Sequence, residues 1–178
     1  MVHEHEIPDG ERAHYSKRTI DFEFDYPFGT KELYGLAYRT DYDLKQHQKF
    51  SGQDLSLEGI VPHVIEPTWG VDRTFLAVLL SAYHEDGKRI VLKLTPQLAP
   101  YKVAVFPLVG NKEDIVAKAR ILYLSLKSHF SSVWDDRGNI GKRYYAQDEI
   151  GTPWCVTVDY QTLVDDKVTV RERHTAQQ

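Results

Sequence analysis

Val64-Ile65-Glu66-Pro67-Thr68-Trp69-Gly70-Val71-Asp72-Arg73 is the stretch on which the reading of this 178-residue chain turns. An apolar strand over 61–66 ends in a carboxylate, is followed by a hydroxyl, and turns at Gly70 into a helix over 71–83. Phe75, Leu76, Ala77, Val78, Leu79 and Leu80 make that helix apolar nearly all round, which predicts a buried helix. Arg73 falls in its first turn, where backbone N–H groups already favour anions and a guanidinium adds a fork for phosphate oxygens. Glu66, close by in sequence, suits an ammonium group. A site for both a phosphate and an amine is what activation of an amino acid by ATP needs. The competing reading is a structural Arg–Glu pair pinning strand to helix.

Upstream, residues 19–26 alternate strictly, with Ile20, Phe22, Phe24 and Tyr26 on one face and Asp21, Glu23 and Asp25 on the other. That period of two predicts a half-exposed strand of an antiparallel sheet. Pro27-Phe28-Gly29-Thr30 predicts a turn, and 32–39 a second strand forming a hairpin with the first. Leu33, Gly35, Ala37 and Arg39 then share one side, and the small residues let a ligand approach the backbone. The bland alternative is an ordinary strand with an Arg39–Asp41 or Arg39–Asp43 surface pair. Asp41 is expected to cap a short helix ending at Ser51-Gly52.

These residues resemble the glycyl-tRNA synthetases, members of the class II aminoacyl-tRNA synthetases. The family pattern Glu-Pro-Ser followed by Gly-x-x-Arg is similar to Glu66-Pro67-Thr68 and Gly70-Val71-Asp72-Arg73, the strand-to-helix motif 3. Glu32-Leu33-Tyr34-Gly35-Leu36-Ala37-Tyr38-Arg39-Thr40-Asp41-Tyr42-Asp43-Leu44 resembles the family's Glu-Leu-x-Gly, Ala, Arg-Thr-Asp and Asp-Leu. The resemblance implies that Glu66 contacts the amino group of glycine, that Thr68 lines the glycine pocket and that Arg39 lies near the glycine carboxylate. It implies ATP contacts at Glu32, Leu33, Gly70 and Arg73, with Arg73 the catalytic arginine on the phosphates. Thr68 stands where the family has serine and adds a methyl group beside the pocket; Trp69 stands where smaller residues are common.

Thr95-Pro96-Gln97-Leu98-Ala99-Pro100 is the boundary candidate, because two prolines favour a stiff connection. The expected domains are 1–95, the end of a class II antiparallel-sheet catalytic domain, and 96–178, an α/β anticodon-binding domain. After the boundary, strands over 103–108, 132–135, 154–159 and 167–173 alternate with helices over 111–128 and 140–148. Asn111 is the expected cap of the first helix, whose stripe is Ile115, Ala119, Leu122 and Leu126. This β-α-β-α-β-β order predicts a mostly parallel mixed sheet. Leu98 to Val105, Ile140 to Tyr144 and Asp148 to Asp159 resemble the family's anticodon-binding domain, which also occurs in histidyl, prolyl and threonyl enzymes. Lys142, Arg143 and Tyr144, and the Thr169, Arg171, Arg173 face of the last strand, are candidate anticodon-loop contacts. The alternative for that face is a plain exposed edge.

Composition sets limits. The net charge is −4, with 11 Lys/Arg against 16 Asp/Glu in residues 1–95 and 11 against 10 beyond, so charge alone does not point to RNA. The single cysteine, Cys155, excludes an internal disulfide framework and a cysteine-based zinc site. Gly138-Asn139-Ile140-Gly141-Lys142-Arg143 lacks the spacing and hydroxyl of a phosphate loop. The polar N-terminus carries no signal-peptide pattern and no apolar run approaches a membrane span, so a cytoplasmic protein without membrane or DNA partners is expected. The resemblance implies a glycine–tRNA ligase using glycine, ATP with Mg²⁺, and tRNA-Gly, homodimeric as a whole protein. Motifs 1 and 2 and the closing helix are not recognisable, so a C-terminal fragment inactive by itself is expected, with no metal site of its own. The rival readings are a non-catalytic accessory module, such as that of a DNA polymerase, and a prolyl, threonyl or histidyl enzyme.

Overall fold

The computed structural model describes residues 1–177. Two compact units divide the chain between Leu80 and Ser81. In the first, β1 (Val2–Glu6), β2 (Arg18–Tyr26), β3 (Gly29–Thr40) and β4 (Val64–Trp69) form one antiparallel sheet in the order β1-β2-β3-β4. Between β3 and β4 lies α1 (Tyr42–Ser51), and after β4 comes α2 (Val71–Ala82). The expected hairpin is present. The alternating face of β2 supplies Phe24 and Tyr26 to a small core with Leu33 and Ala77, against which Leu80 and Tyr34 pack.

Several expectations change. The histidine-bearing N-terminus is an edge strand, with His3 paired to Asp25 at 2.8 Å. Asp41 makes no side-chain cap to α1, because its carboxylate pairs with Lys45 at 2.6 Å instead. The strand expected at 61–66 runs instead through Glu66-Pro67-Thr68 to Trp69, and proline is tolerated because β4 is an edge. Neither β4 nor α2 is buried as expected. Ile65, Trp69, Val71 and Phe75 stay more than 60% exposed, because only one stripe of α2, through Ala77 and Leu80, meets the sheet.

In the second unit, β5 (Tyr83–Asp86) and β6 (Arg89–Leu92) form a hairpin whose first strand the sequence reading missed. The 95–100 segment follows this hairpin inside the same unit. The main sheet holds β7 (Val103–Pro107), β8 (Ser132–Trp134), β9 (Trp154–Val158) and β10 (Thr169–Glu172) in the order β10-β9-β7-β8. β7 runs parallel to β8 and β9, while β10 is antiparallel, so the expected mostly parallel mixed sheet is observed. Helix α3 (Glu113–Lys127) lays Ile115, Ala119, Leu122 and Leu126 on Val103, Val105, Val156 and Val158. Its N-cap is Lys112, not Asn111. Helix α4 (Ile140–Ile150) is capped by the Asn139 side chain, which accepts from Lys142 N at 2.8 Å, and α5 (Thr162–Asp165) is a single turn. Ala104, Phe106 and Cys155 form a second cluster with Ile140 and Tyr144, where burial pushes the Cys155 thiol up to about 12.

Gly151 ends α4 at φ +87°, and a Cβ there would lie 2.9 Å from the Leu92 carbonyl oxygen. Gly151→Ala is therefore expected to cost about 1–3 kcal/mol from backbone conformation alone, with the clash added. Urea unfolding of the variant measures this; an unchanged midpoint would show that α4 and β6 separate at no cost.

Candidate functional site

The register of the first sheet builds one functional face. Gly35 pairs with Thr68 and with Asp21, and Ala37 pairs with Glu66 and with Thr19. Directly paired residues on neighbouring strands point to the same side, so Asp21, Gly35, Ala37, Glu66 and Thr68 share a face. A bulge opposite Phe22 and Glu23 makes Leu33 the extra residue between Tyr34 and Glu32. The bulge re-aims two side chains. Leu33 leaves the face it was expected to share with Gly35 and enters the core, only 4% exposed. Glu32 takes its place, with Oε1 3.6 Å from where a Cβ on Gly35 would lie and Asp21 Oδ1 at 3.8 Å from the same point. Burial, then the neighbouring Glu32, raise the Asp21 pKa. Any contact of Leu33 with a ligand must therefore come from its backbone.

At one end of this face, Arg39 Nη1 donates to Glu66 Oε2 at 2.6 Å. Arg39 is also held by Asp43, which accepts from Nε at 2.6 Å and Nη2 at 2.7 Å. Of the two pairings in the bland alternative, Arg39–Asp43 is formed, as a bidentate fork with only about a fifth of each side chain exposed. The fork holds the Asp43 pKa below the usual carboxylate range. Thr68 is exposed beside Glu66, its hydroxyl side chain facing the same way as Gly35.

At the other end, Gly70 starts α2 and its carbonyl accepts from Thr74 N at 2.9 Å. Arg73 folds back over this turn, its side chain 3.5 Å from where a Cβ on Gly70 would lie, an ordinary contact distance. Arg73 Nη1 donates to the Glu32 carbonyl at 3.0 Å and lies 3.4 Å from the Glu32 carboxylate. The pair lines a cavity of about 390 Å³ with Tyr26, Phe28, Lys31 and Leu76. Lys31 and the stacked Tyr26 and Phe28 rings, 5.0 Å apart, were not singled out from sequence. Arg73 therefore pairs with Glu32, not with Glu66, and the simple Arg73–Glu66 brace weighed from sequence is not formed.

In the second unit the proposed RNA-facing arginines point inward. Arg143, 2% exposed, donates to the carbonyls of Pro107 at 2.6 Å and Leu108 at 3.1 Å. Arg171, 5% exposed, forks onto Asp148 with both bonds at 2.9 Å. Arg173, 1% exposed, donates to the carbonyls of Gly151 and Leu94. Tyr144 is half-buried against Phe106, with Arg171 over its ring and its hydroxyl 2.6 Å from that of Thr157. The exposed-edge alternative for Arg171 and Arg173 is thereby corrected: β10 turns Arg171 into the unit, and Arg173, just beyond the strand, is buried as well. Of these candidates, Lys142 stays exposed.

Among the described residues no group of three or more His, Cys, Asp or Glu side chains gathers as a metal cage. No helix there is long and apolar enough to cross a membrane.

Residues 102–178 match the family model of the anticodon binding domain. An antiparallel sheet with a strand-to-helix turn at its edge, followed by this α/β unit, is class II aminoacyl-tRNA synthetase architecture. Within that class the sequence groups with the glycine–tRNA ligases. It is 51% identical to the glycine–tRNA ligase of Borrelia garinii subsp. bavariensis over 91% of this chain and 39% of that protein. Similarity to the enzyme of Caldanaerobacter subterraneus subsp. tengcongensis is 48% over 94% of this chain and 38% of that one. For the Streptomyces coelicolor enzyme it is 50% over 98% and 42%. The chain thus spans about two fifths of the length of the curated relatives it matches.

Proposed function

We propose that this chain supplies part of the glycine and ATP site, together with the anticodon-binding unit, of a glycine–tRNA ligase. The observation that carries the reading is the single sheet face with Arg39, Glu66 and Thr68 at one end and the Glu32–Arg73 pair at the other. A zwitterion needs an anion and a cation a few ångströms apart, and Glu66 and Arg39 are that pair. Glu66 takes the ammonium of glycine, Arg39 the carboxylate, and the Thr68 hydroxyl lines the pocket between them. Arg73, at the helix start with Gly70, takes phosphate oxygens of ATP. Glu32 and the Leu33 backbone contact the nucleotide from the bulge.

The reaction is attack of the glycine carboxylate oxygen on the α-phosphorus of ATP. The bond to pyrophosphate breaks as the mixed anhydride forms; a terminal ribose hydroxyl of tRNA-Gly then attacks the glycyl carbonyl, giving up its proton, and AMP leaves as the ester forms. The glycine carboxylate is already ionised, so no general base is required. The chain contributes alignment and a guanidinium where negative charge accumulates. Glu32 would offer a carboxylate to a Mg²⁺ ion, which would supply neutralisation of phosphate charge. The complete ligase acts as a cytoplasmic homodimer in this reading.

Titration of the chain with tRNA-Gly and with the same tRNA carrying a swapped anticodon, at two salt concentrations, tests the second unit. Loss of one base contact weakens binding by about tenfold, so at least that difference is expected at both salts. Equal, steeply salt-dependent binding to both would leave only phosphate attraction and remove anticodon readout from this chain.

A further inference from the structure

We propose that Asp43 and Tyr15 are positioning residues that keep Arg39 and Glu66 from neutralising each other completely, so that both stay able to read the two ends of glycine. The inference rests on the assignment of Arg39 and Glu66 to the glycine site and concerns what holds them there. Arg39 is the penultimate residue of β3, and Asp43 stands four residues on, in the first turn of α1. Asp43 occupies the Nε and Nη2 edge of the guanidinium with two short bonds. The Tyr15 ring covers one flat face, with Cζ 3.9 Å from the ring centroid. Tyr15 is itself packed edge-on to His14, and His14 lies within 3.0 Å of the Tyr42 hydroxyl, so the ring belongs to a braced cluster.

The consequence follows from counting donors. A guanidinium has five N–H groups. Asp43 takes one from Nε and one from Nη2, and Glu66 takes one from Nη1. Two are then left over, one on each terminal nitrogen, the number that one carboxylate uses. A guanidinium without Asp43 would present its side fork elsewhere, and the nearest carboxylate is Glu66, already 2.6 Å away and nearly half exposed. A bidentate Arg39–Glu66 pair would be stronger than the single bond seen here. Both groups needed for glycine would then be consumed by each other. Asp43 blocks that collapse by occupying the fork, and Tyr15 blocks rotation of the guanidinium out of its plane by covering one face.

The test is glycine-dependent pyrophosphate exchange by the complete ligase carrying Asp43→Asn, Tyr15→Leu, Tyr15→Phe or Arg39→Lys, with glycine and ATP varied separately. Loss of the charged fork in Asp43→Asn is expected to raise the KM for glycine about tenfold or more, with the KM for ATP unchanged. Tyr15→Leu is expected to raise it by about threefold, and the conservative Tyr15→Phe, which keeps the ring face, rescues it. A merely structural role would lower the active fraction, and so kcat, while leaving both KM values alone. Unchanged glycine KM in Asp43→Asn and Tyr15→Leu, alongside a raised value in Arg39→Lys, overturns this inference and leaves the site assignment standing. An unchanged value in Arg39→Lys as well overturns the assignment itself. Should Asp43→Asn fail to fold, the Tyr15→Leu and Tyr15→Phe contrast decides alone.

Discussion

Asp148→Ala is expected to destabilise the second unit by about 3–5 kcal/mol, the cost of removing one partner of a buried ion pair. Asp148 is 1% exposed and accepts from both terminal nitrogens of Arg171. Arg89 Nη1 also approaches the same carboxylate at 3.6 Å, from a side chain only 11% exposed. The substitution leaves two guanidinium groups in a low-dielectric interior with one carboxylate gone. Arg171 cannot move to water without unpacking, because it lies over the Tyr144 ring, whereas Arg89 keeps the Asp86 carboxylate at 3.2 Å. For a unit of this size the loss corresponds to a fall in Tm of about 15 °C or more. Replacing Arg171 and Asp148 together by apolar residues of similar volume is expected to cost far less, since no charge is then stranded. Thermal unfolding followed by circular dichroism separates the two cases. A loss below about 1 kcal/mol in Asp148→Ala would show that water reaches the pair.

Arg73→Ala in the complete ligase is expected to lower glycine-dependent pyrophosphate exchange by a factor on the order of 10²–10³, the usual effect of losing one charge-stabilising donor at a transition state. The fold is expected to survive, because the Arg73 side chain is 55% exposed. Arg73→Lys is expected to recover only part of the rate, as an ammonium keeps the charge but not the planar fork. Steady-state kinetics with ATP varied, beside a melting curve for each variant, distinguish lost catalysis from lost protein. Full activity in Arg73→Ala would remove the helix start at Gly70 from the phosphate site. Activity lost in proportion to folded protein would reduce Arg73 to a brace for Glu32.

Much of the architecture was legible because it depends on local period. The strict alternation of 19–26 could only be a half-covered strand, and the turn at Pro27-Phe28 closed it into a hairpin. The stripe Ile115, Ala119, Leu122, Leu126 named the core face of α3 in advance. The glycine at 70 between a strand and an apolar helix located the strand-to-helix turn within which Glu66, Thr68 and Arg73 lie.

What the sequence could not settle was where each charged side chain goes, because that depends on partners far along the chain. Arg143, Arg171 and Arg173 read as a basic RNA-facing surface, yet each is buried against at least one partner far along the chain, 36, 23 and 79 residues distant respectively. A cation enters an interior only when carbonyls or a carboxylate meet it there, and no local pattern records that meeting. The exchange of Leu33 for Glu32 on the ligand face has the same origin. Period two predicts alternation, and a single bulge fixed by pairing with β2 reverses it for the residues beyond. The sequence by itself determined most of the elements and their order, and the residue types of the candidate site, but not the strands β1 and β5. The tertiary structure alone decided which of those residues share the open face of the sheet and which are buried, since burial and register are properties of pairs of segments.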